Sequence, residues 1–513
     1  MRAWLPWILG LGVAICACFP ILSARWGAID DHEIATFLGP DHNLPFTEIP
    51  GRIAATEAGH PGGFSRYRPS YFTLRVTEAA LWGAHPEIWY AARIVFLAIF
   101  LGSLIAVLAP GTSLVEALAF AVLVGTADFW RDIYFRLGPG EAYGALGVGL
   151  FAVGFARALQ PRPPLRASVL LAAGALIAMG SKENLLLLAL PAIYLGWRQR
   201  NRRGVLVACL VILAFALFVA VSVYLGVRRH GHVYAEDVSS GGRLRILGDA
   251  LMGGWNQWSR WWLVGLLAWA AAWLVARLRG RFGAERLLAR EGARTLLALV
   301  LLLVLHASQV AFYNGQWPPG PLRYLFPGAL VAPLMLFAGY RLLVRGAGWL
   351  GLPSIVARPV RVLAALAALW LLWPRFQPMR AAAEQTVRTT RAFTASIEMI
   401  ARAHRRQPSW PIVFASHDVW DFEFIHSVQL FLYFSGVDTP AYLTLDGYSP
   451  ASFAGGSLEA QLTESLATQA AKGLDPPYLL RPWARFAGPP CYGLGFSGAP
   501  PAACESLGVV PKP

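Results

Sequence analysis

Four short polar groups interrupt a chain otherwise built from apolar blocks, and their residue types define the chemistry open to it. Asp30-Asp31-His32-Glu33 places three carboxylates and an imidazole in four consecutive positions. Such a cluster can supply a general base, hold a divalent cation through oxygen ligands, or open a helix whose first turn favours acids. Glu141 follows the turn Gly138-Pro139-Gly140 at the start of an apolar helix, where a carboxylate either caps the helix or faces a substrate. Lys182, in Ser181-Lys182-Glu183-Asn184, is one of three lysines among 44 basic residues, with Lys472 and Lys512. A charge at membrane depth is costly unless it meets a partner or ligand. It either pairs with Glu183 to end a helix or awaits an anionic group. Arg323-Tyr324, with Pro327 shortly after, marks another helix end. Both residue types populate membrane interfaces, and an arginine fork also suits a phosphate.

The elements that position these groups are membrane helices. The chain is 56% hydrophobic and 14% charged, where a soluble chain would carry roughly a quarter charged residues. Apolar blocks fall at Trp4–Leu22, Ile88–Leu108, Leu114–Ala127, Ala142–Ala156, Val169–Gly180, Leu185–Leu195, Val205–Leu225, Trp261–Val275, Leu296–Phe312, Leu325–Tyr340 and Val362–Leu372. They predict a polytopic α-helical membrane protein of about 11 transmembrane helices. Arginines concentrate in the short loops Arg157–Arg166, Arg198–Arg203, Arg277–Arg294 and Arg341–Arg361. Positive-inside reasoning puts these loops and the N-terminus in the cytoplasm. The net charge of +15 is therefore topology information, not a nucleic-acid footprint.

Parity then makes Ser181–Asn184 a tight outer turn and places the loops 25–87, 129–140, 227–260 and 313–323 outside. Arg131 and Arg136 belong to an aromatic-rich, amphipathic segment expected along the membrane surface. The expected division is a transmembrane domain over 1–375 and an extracytoplasmic domain over 376–513. In the latter, Glu384–Arg405 reads as an amphipathic helix, Pro411–His417 as a buried strand, Phe422–Phe434 as a helix and Ala441–Thr444 as a strand. This order predicts a small α/β domain. His417-Asp418 then lies at a strand end, where such folds bind ligands. Cys491 and Cys504 are close enough to form a disulfide in an external tail.

The four polar groups thus collect at helix ends on one predicted face. A carboxylate there could deprotonate or orient an acceptor hydroxyl while cations stabilise a phosphate leaving group. A transporter or lipid flippase is the alternative, but charges near the midplane and a repeated half would mark one. A glycan polymerase or ligase would use the same groups. No P-loop or zinc spacing is present.

The order of these motifs resembles the GT-C class of membrane glycosyltransferases, within it the protein O-mannosyltransferase and lipid A aminoarabinose transferase group. Asp30-Asp31 is similar to the acidic pair after the first helix of that group, which is more often Asp-Glu. Glu141 resembles its later acidic residue. Lys182 resembles its outer lysine, with Glu183 where glycine is common, and Arg323, Tyr324 and Pro327 resemble its Arg-Tyr and proline. The likeness covers roughly residues 1–375. It implies inverting transfer of a sugar from a polyprenyl-phosphate donor to a glycan, lipid or protein acceptor at the outer face of a bacterial inner membrane. Asp30, Asp31 and Glu141 would then be catalytic. Lys182, Arg323 and Tyr324 would hold the donor phosphate, and a divalent metal is compatible with the acidic residues.

Overall fold

The computed structural model describes residues 4–230, 240–280, 322–330, 354–416, 421–437, 441–444, 488–496 and 502–509, with scattered positions between and beside them. The expected crossing at 296–312 apart from Val300, the loop 313–321 and His417-Asp418 lie outside the described residues. Numbering only the longer helices, they are α1 Leu5–Cys18, α2 His32–Leu38, α3 Pro69–Trp82, α4 Pro86–Leu108 and α5 Leu114–Gly125. They continue as α6 Glu141–Ala158, α7 Leu165–Met179, α8 Ala189–Arg198, α9 Arg203–His230 and α10 Ser240–Leu278. The last are α11 Ser354–Leu372, α12 Phe376–Arg406 and α13 Phe422–Phe434. Among the described residues, four helical stretches are long and apolar enough to cross a membrane: Leu5–Ser23, Pro86–Gly111, Arg203–Arg229 and Arg361–Arg406. Residues such as Leu210, Leu217, Phe218 and Val221 of α9 are exposed. An apolar outer surface of this kind suits lipid rather than water.

The 227–260 segment is not a loop at its described ends, since α9 runs to His230 and α10 begins at Ser240. Polarity there signals an exposed helix face, with Arg245 and Asp249 paired one turn apart at 4.0 Å.

Contacts divide the chain into two compact units. The first comprises Met1–Phe19, Ile94–Tyr134 and Gly140–Arg380; the second comprises Pro20–Arg93, Phe135–Pro139 and Ala381–Pro513.

In the first unit, α6 and α7 form a close antiparallel hairpin. A Cβ on Gly147 would lie 2.5 Å from the Ala178 nitrogen, and one on Gly174 would lie 2.3 Å from the Phe151 nitrogen. Only glycine permits backbones this close, the small-residue packing that membrane helices favour. Phe151, Leu171, Met179, Leu195 and Ile212 extend this seam into a core shared with α8 and α9. The hairpin matters for function because Glu141 opens α6 and Lys182 follows α7. Elsewhere in the unit, α5 starts on a capping box. The Ser113 hydroxyl accepts from the Glu116 N–H, and the Glu116 carboxylate accepts from the Ser113 N–H. Glu116 also accepts from Arg361 Nε at 2.9 Å and Nη2 at 3.2 Å, fastening α11 to α5.

The second unit contains a five-stranded parallel sheet. Its strands are β1 Ile412–Ala415, β2 Ala441–Thr444, β3 Arg481–Pro482, β4 Tyr492–Gly495 and β5 Glu505–Val509, in the order β3-β2-β1-β4-β5. The described residues of β1, β2 and β4 are buried, as parallel strands covered on both faces must be. α13, between β1 and β2, supplies the crossover that parallel pairing requires. A disulfide joins Cys491 and Cys504. They sit one residue before the paired positions Tyr492 and Glu505, so the bridge links the starts of two neighbouring strands.

Candidate functional site

The polar residues singled out in the sequence form two groups, one in each unit. In the first unit, α7 ends at Met179 and the chain turns through Gly180–Lys182 before the short 3-10 helix Glu183–Leu188. That turn brings Lys182 Nζ to 2.6 Å from Glu141 Oε1, with both side chains buried. The α6–α7 hairpin thus builds an ion pair between residues 41 positions apart.

Arg323 and Tyr324 complete this group. The Lys182 ammonium and the Arg323 guanidinium each lie 5.2 Å from the centroid of the Tyr324 ring. Arg323 is also a direct electrostatic neighbour of Glu141. The turn carrying Arg323 is held by three contacts. Asp132 accepts from the Leu322 N–H at 2.8 Å, Asn184 Nδ2 donates to the Phe326 carbonyl at 3.1 Å, and Trp130 packs on the Phe326 ring. The aromatic segment around Trp130 and Tyr134 is therefore buried in protein rather than laid along a membrane surface. Its aromatic residues pack on Phe326 and on one another. Lys182 and Arg323 thus stand beside the Glu141 carboxylate and share the Tyr324 ring, a pairing of cations of the kind that can meet an anionic oxygen.

In the second unit, Asp30 and Asp31 are adjacent in sequence but differ in environment. Asp30 adopts a left-handed backbone conformation, φ 72°, which costs a non-glycine residue roughly 1–2 kcal/mol. Its carboxylate accepts from Arg136 Nη2 at 2.6 Å in a partly exposed pair. The conformation is held by Arg75, a fully buried side chain that donates to the carbonyls of Asp30 and Leu137. Gly138 closes the same loop, because a Cβ there would come within 1.8 Å of the Asp30 Cβ.

Asp31 is 1% exposed. Its two oxygens accept from backbone N–H groups, Gly27 at 2.6 Å and Leu137 at 3.2 Å. Burial pushes its carboxyl up to about 7. The two N–H groups and the Arg75 charge oppose that rise, and neighbouring Asp30 adds to it. Asp31 also lines a cavity of about 580 Å³ that is shared with Tyr90, Arg136 and α12. Glu33 is directed elsewhere, accepting from the Tyr71 hydroxyl at 2.5 Å. The three carboxylates thus accept from different donors, with Arg75 close to Glu33 as well, at 3.9 Å, and among the described residues no three such side chains gather as ligands for an ion.

Arg75, Tyr71 and the α12 wall of the cavity are parts of the site that were not singled out in the sequence. For Arg75 a signal exists: it shares α3 with the buried residues Tyr71, Phe72, Val76 and Ala79, a charge on an apolar face. The α12 residues carry no such mark.

No family model matches the chain, and no curated protein does. Two solved structures are similar to it. One is ArnT from Cupriavidus metallidurans bound to undecaprenyl phosphate, at 12% identity and TM-score 0.47, covering 94% of this chain and 90% of that one. The other is the Archaeoglobus fulgidus oligosaccharyltransferase in complex with zinc and sulfate, at 12% identity and TM-score 0.39. That match covers 83% of this chain, which spans 61% of the oligosaccharyltransferase. At this level of similarity the side chains, not the comparison, decide what each group can do.

Proposed function

We propose that this chain is a GT-C-type membrane glycosyltransferase that moves a sugar from a polyprenyl-phosphate carrier to a hydroxyl acceptor at the outer face of a bacterial inner membrane. The observation that carries the reading is the buried Lys182–Glu141 pair with Arg323 beside it, two cations gathered at one carboxylate. A phosphate ester leaving from a sugar carries the charge such a group stabilises. The motif order that resembles GT-C enzymes supports the same assignment.

In this reading Asp31 is the base. It takes the acceptor hydroxyl proton, the freed oxygen bonds to the anomeric carbon from the face opposite the phosphate, and the carbon–phosphate oxygen bond breaks. Polyprenyl phosphate leaves with the electron pair, and holding that phosphate is the role the resemblance gives to Lys182, Arg323 and Tyr324. The product is inverted at the anomeric carbon. Glu141 sets the position and net charge of Lys182 through their ion pair, and Asp30 orders Arg136. A carboxyl with a pKa near 7 is well matched to general base work at neutral pH.

The test is reconstitution of the purified protein in lipid with an undecaprenyl-phosphate sugar, followed by mass spectrometry of lipid and acceptor products. Release of undecaprenyl phosphate with a glycosylated product is expected. A protein that binds no polyprenyl phosphate and consumes no donor would refute the reading.

A further inference from the structure

The cavity beside Asp31 has a wall whose chemistry is specific. Gln385, Thr389 and Phe393 lie at successive four-residue steps on α12, and Thr386 adjoins them, so one helix face supplies the wall. The Thr386 hydroxyl donates to the Ala382 carbonyl at 3.1 Å, and the Thr389 hydroxyl donates to the Gln385 carbonyl at 3.0 Å. Each hydroxyl proton is thereby used within the helix, and each oxygen keeps lone pairs for a ligand. Gln385 Oε1 accepts from Arg388 Nη2 at 2.7 Å, which orients the amide and leaves its NH₂ available to donate. Arg136, the cation on the lining, is engaged with Asp30. Asp31 itself only accepts when ionised.

The lining is thus rich in acceptors and has little free positive charge. It favours a ligand that presents several O–H donors and disfavours an anion. The rings of Tyr90 and Phe393 supply flat apolar surfaces of the kind that contact the C–H faces of a sugar. The volume, about 580 Å³, falls within the roughly 300–1,000 Å³ of small-ligand sites.

We infer that this cavity binds a neutral saccharide as the acceptor, with Gln385, Thr386 and Thr389 as the residues that select it. The inference rests on the transfer reading for the word acceptor, but the binding site stands on its own geometry.

The experiment has two arms, both with the full-length protein in lipid nanodiscs. In the first, no donor is present and saturation-transfer NMR measures binding of maltose, lactose and cellobiose against glucose 6-phosphate and mannose 6-phosphate. The neutral disaccharides should bind better than the phosphates. Thr386→Val with Thr389→Val should weaken them roughly five- to tenfold for each hydrogen bond lost. The Thr386→Ser and Thr389→Ser pair should bind as the parent does. No binding of any neutral disaccharide, tighter binding of the phosphates, or parent-like binding by the valine pair overturns the inference. In the second arm, with an undecaprenyl-phosphate sugar, the valine pair should raise the acceptor KM while kcat stays within about twofold and the donor KM is unchanged. Binding without any transfer would count against the transfer reading and leave the saccharide site standing. Transfer with an unchanged acceptor KM in the valine pair would do the reverse.

Discussion

Glu141 and Asp31 are both buried carboxylates, yet the two units treat them differently. Glu141 meets a full positive charge, the Lys182 ammonium at 2.6 Å. Asp31 meets two backbone N–H groups and lines a cavity, with Arg75 acting on it as a neighbouring charge. A carboxylate with a close cationic partner serves as fixed electrostatics. One buried without such a partner is poised to exchange a proton. On the proposed transfer reading, this contrast fits Glu141 holding a cation in place and Asp31 moving a proton.

The largest effect should follow from separating the ion pair. Lys182→Met removes the closest compensating charge from a buried carboxylate, and about 3–5 kcal/mol of stability should go with it. Adding Glu141→Gln should restore most of the unfolding temperature in detergent without restoring sugar transfer. A double variant that recovers transfer along with stability would reduce Lys182 to a structural residue, and the comparison would fail on that side.

Asp31→Asn tests the other side. Transfer should drop by about 10²- to 10⁴-fold, the range that general base catalysis contributes. In the parent, kcat/KM should rise with pH until Asp31 is ionised, levelling above about 7. Stability should run the other way. The folded pKa lies above that of an unfolded carboxyl, near 3.9, so the folded state holds more protons between those values. Stability therefore falls as pH rises from about 4 to about 7, and the asparagine variant should flatten that slope. Undiminished transfer in Asp31→Asn would exclude it as the base.

The smallest effect is expected from Asp30→Asn. Its pair with Arg136 is partly exposed, with side chains 25% and 33% accessible. Solvent screening keeps the loss below about 1 kcal/mol, and asparagine tolerates the left-handed backbone better than most residues. Transfer should fall by less than about tenfold. A loss as large as that of Asp31→Asn would move the base role to Asp30.

Local patterns were sufficient for several elements. The strand Ile412–Ala415, the helix Phe422–Phe434 and the strand Ala441–Thr444 lie where short apolar runs and the length of the segment between them place them. The break after Met179 is legible for a different reason: arginine-rich loops on both flanks require the chain to cross and return between them, which calls for a turn at Ser181–Asn184. The helical start of α10 at Ser240 is not legible, since polar residues suit an exposed helix and a loop equally.

The residue types by themselves determined that this chain is built of apolar helices carrying a few isolated carboxylates and cations, because hydropathy and charge are properties of each residue. Which carboxylate meets which cation was decided by tertiary structure alone. Lys182 finds Glu141 because glycines let α6 and α7 pack backbone to backbone. Asp31 is buried where Gly27 and Leu137 turn their N–H groups onto it and α12 lines the same cavity. Solvation and long-range charge depend on what the folded chain brings near, and no local pattern encodes that distance.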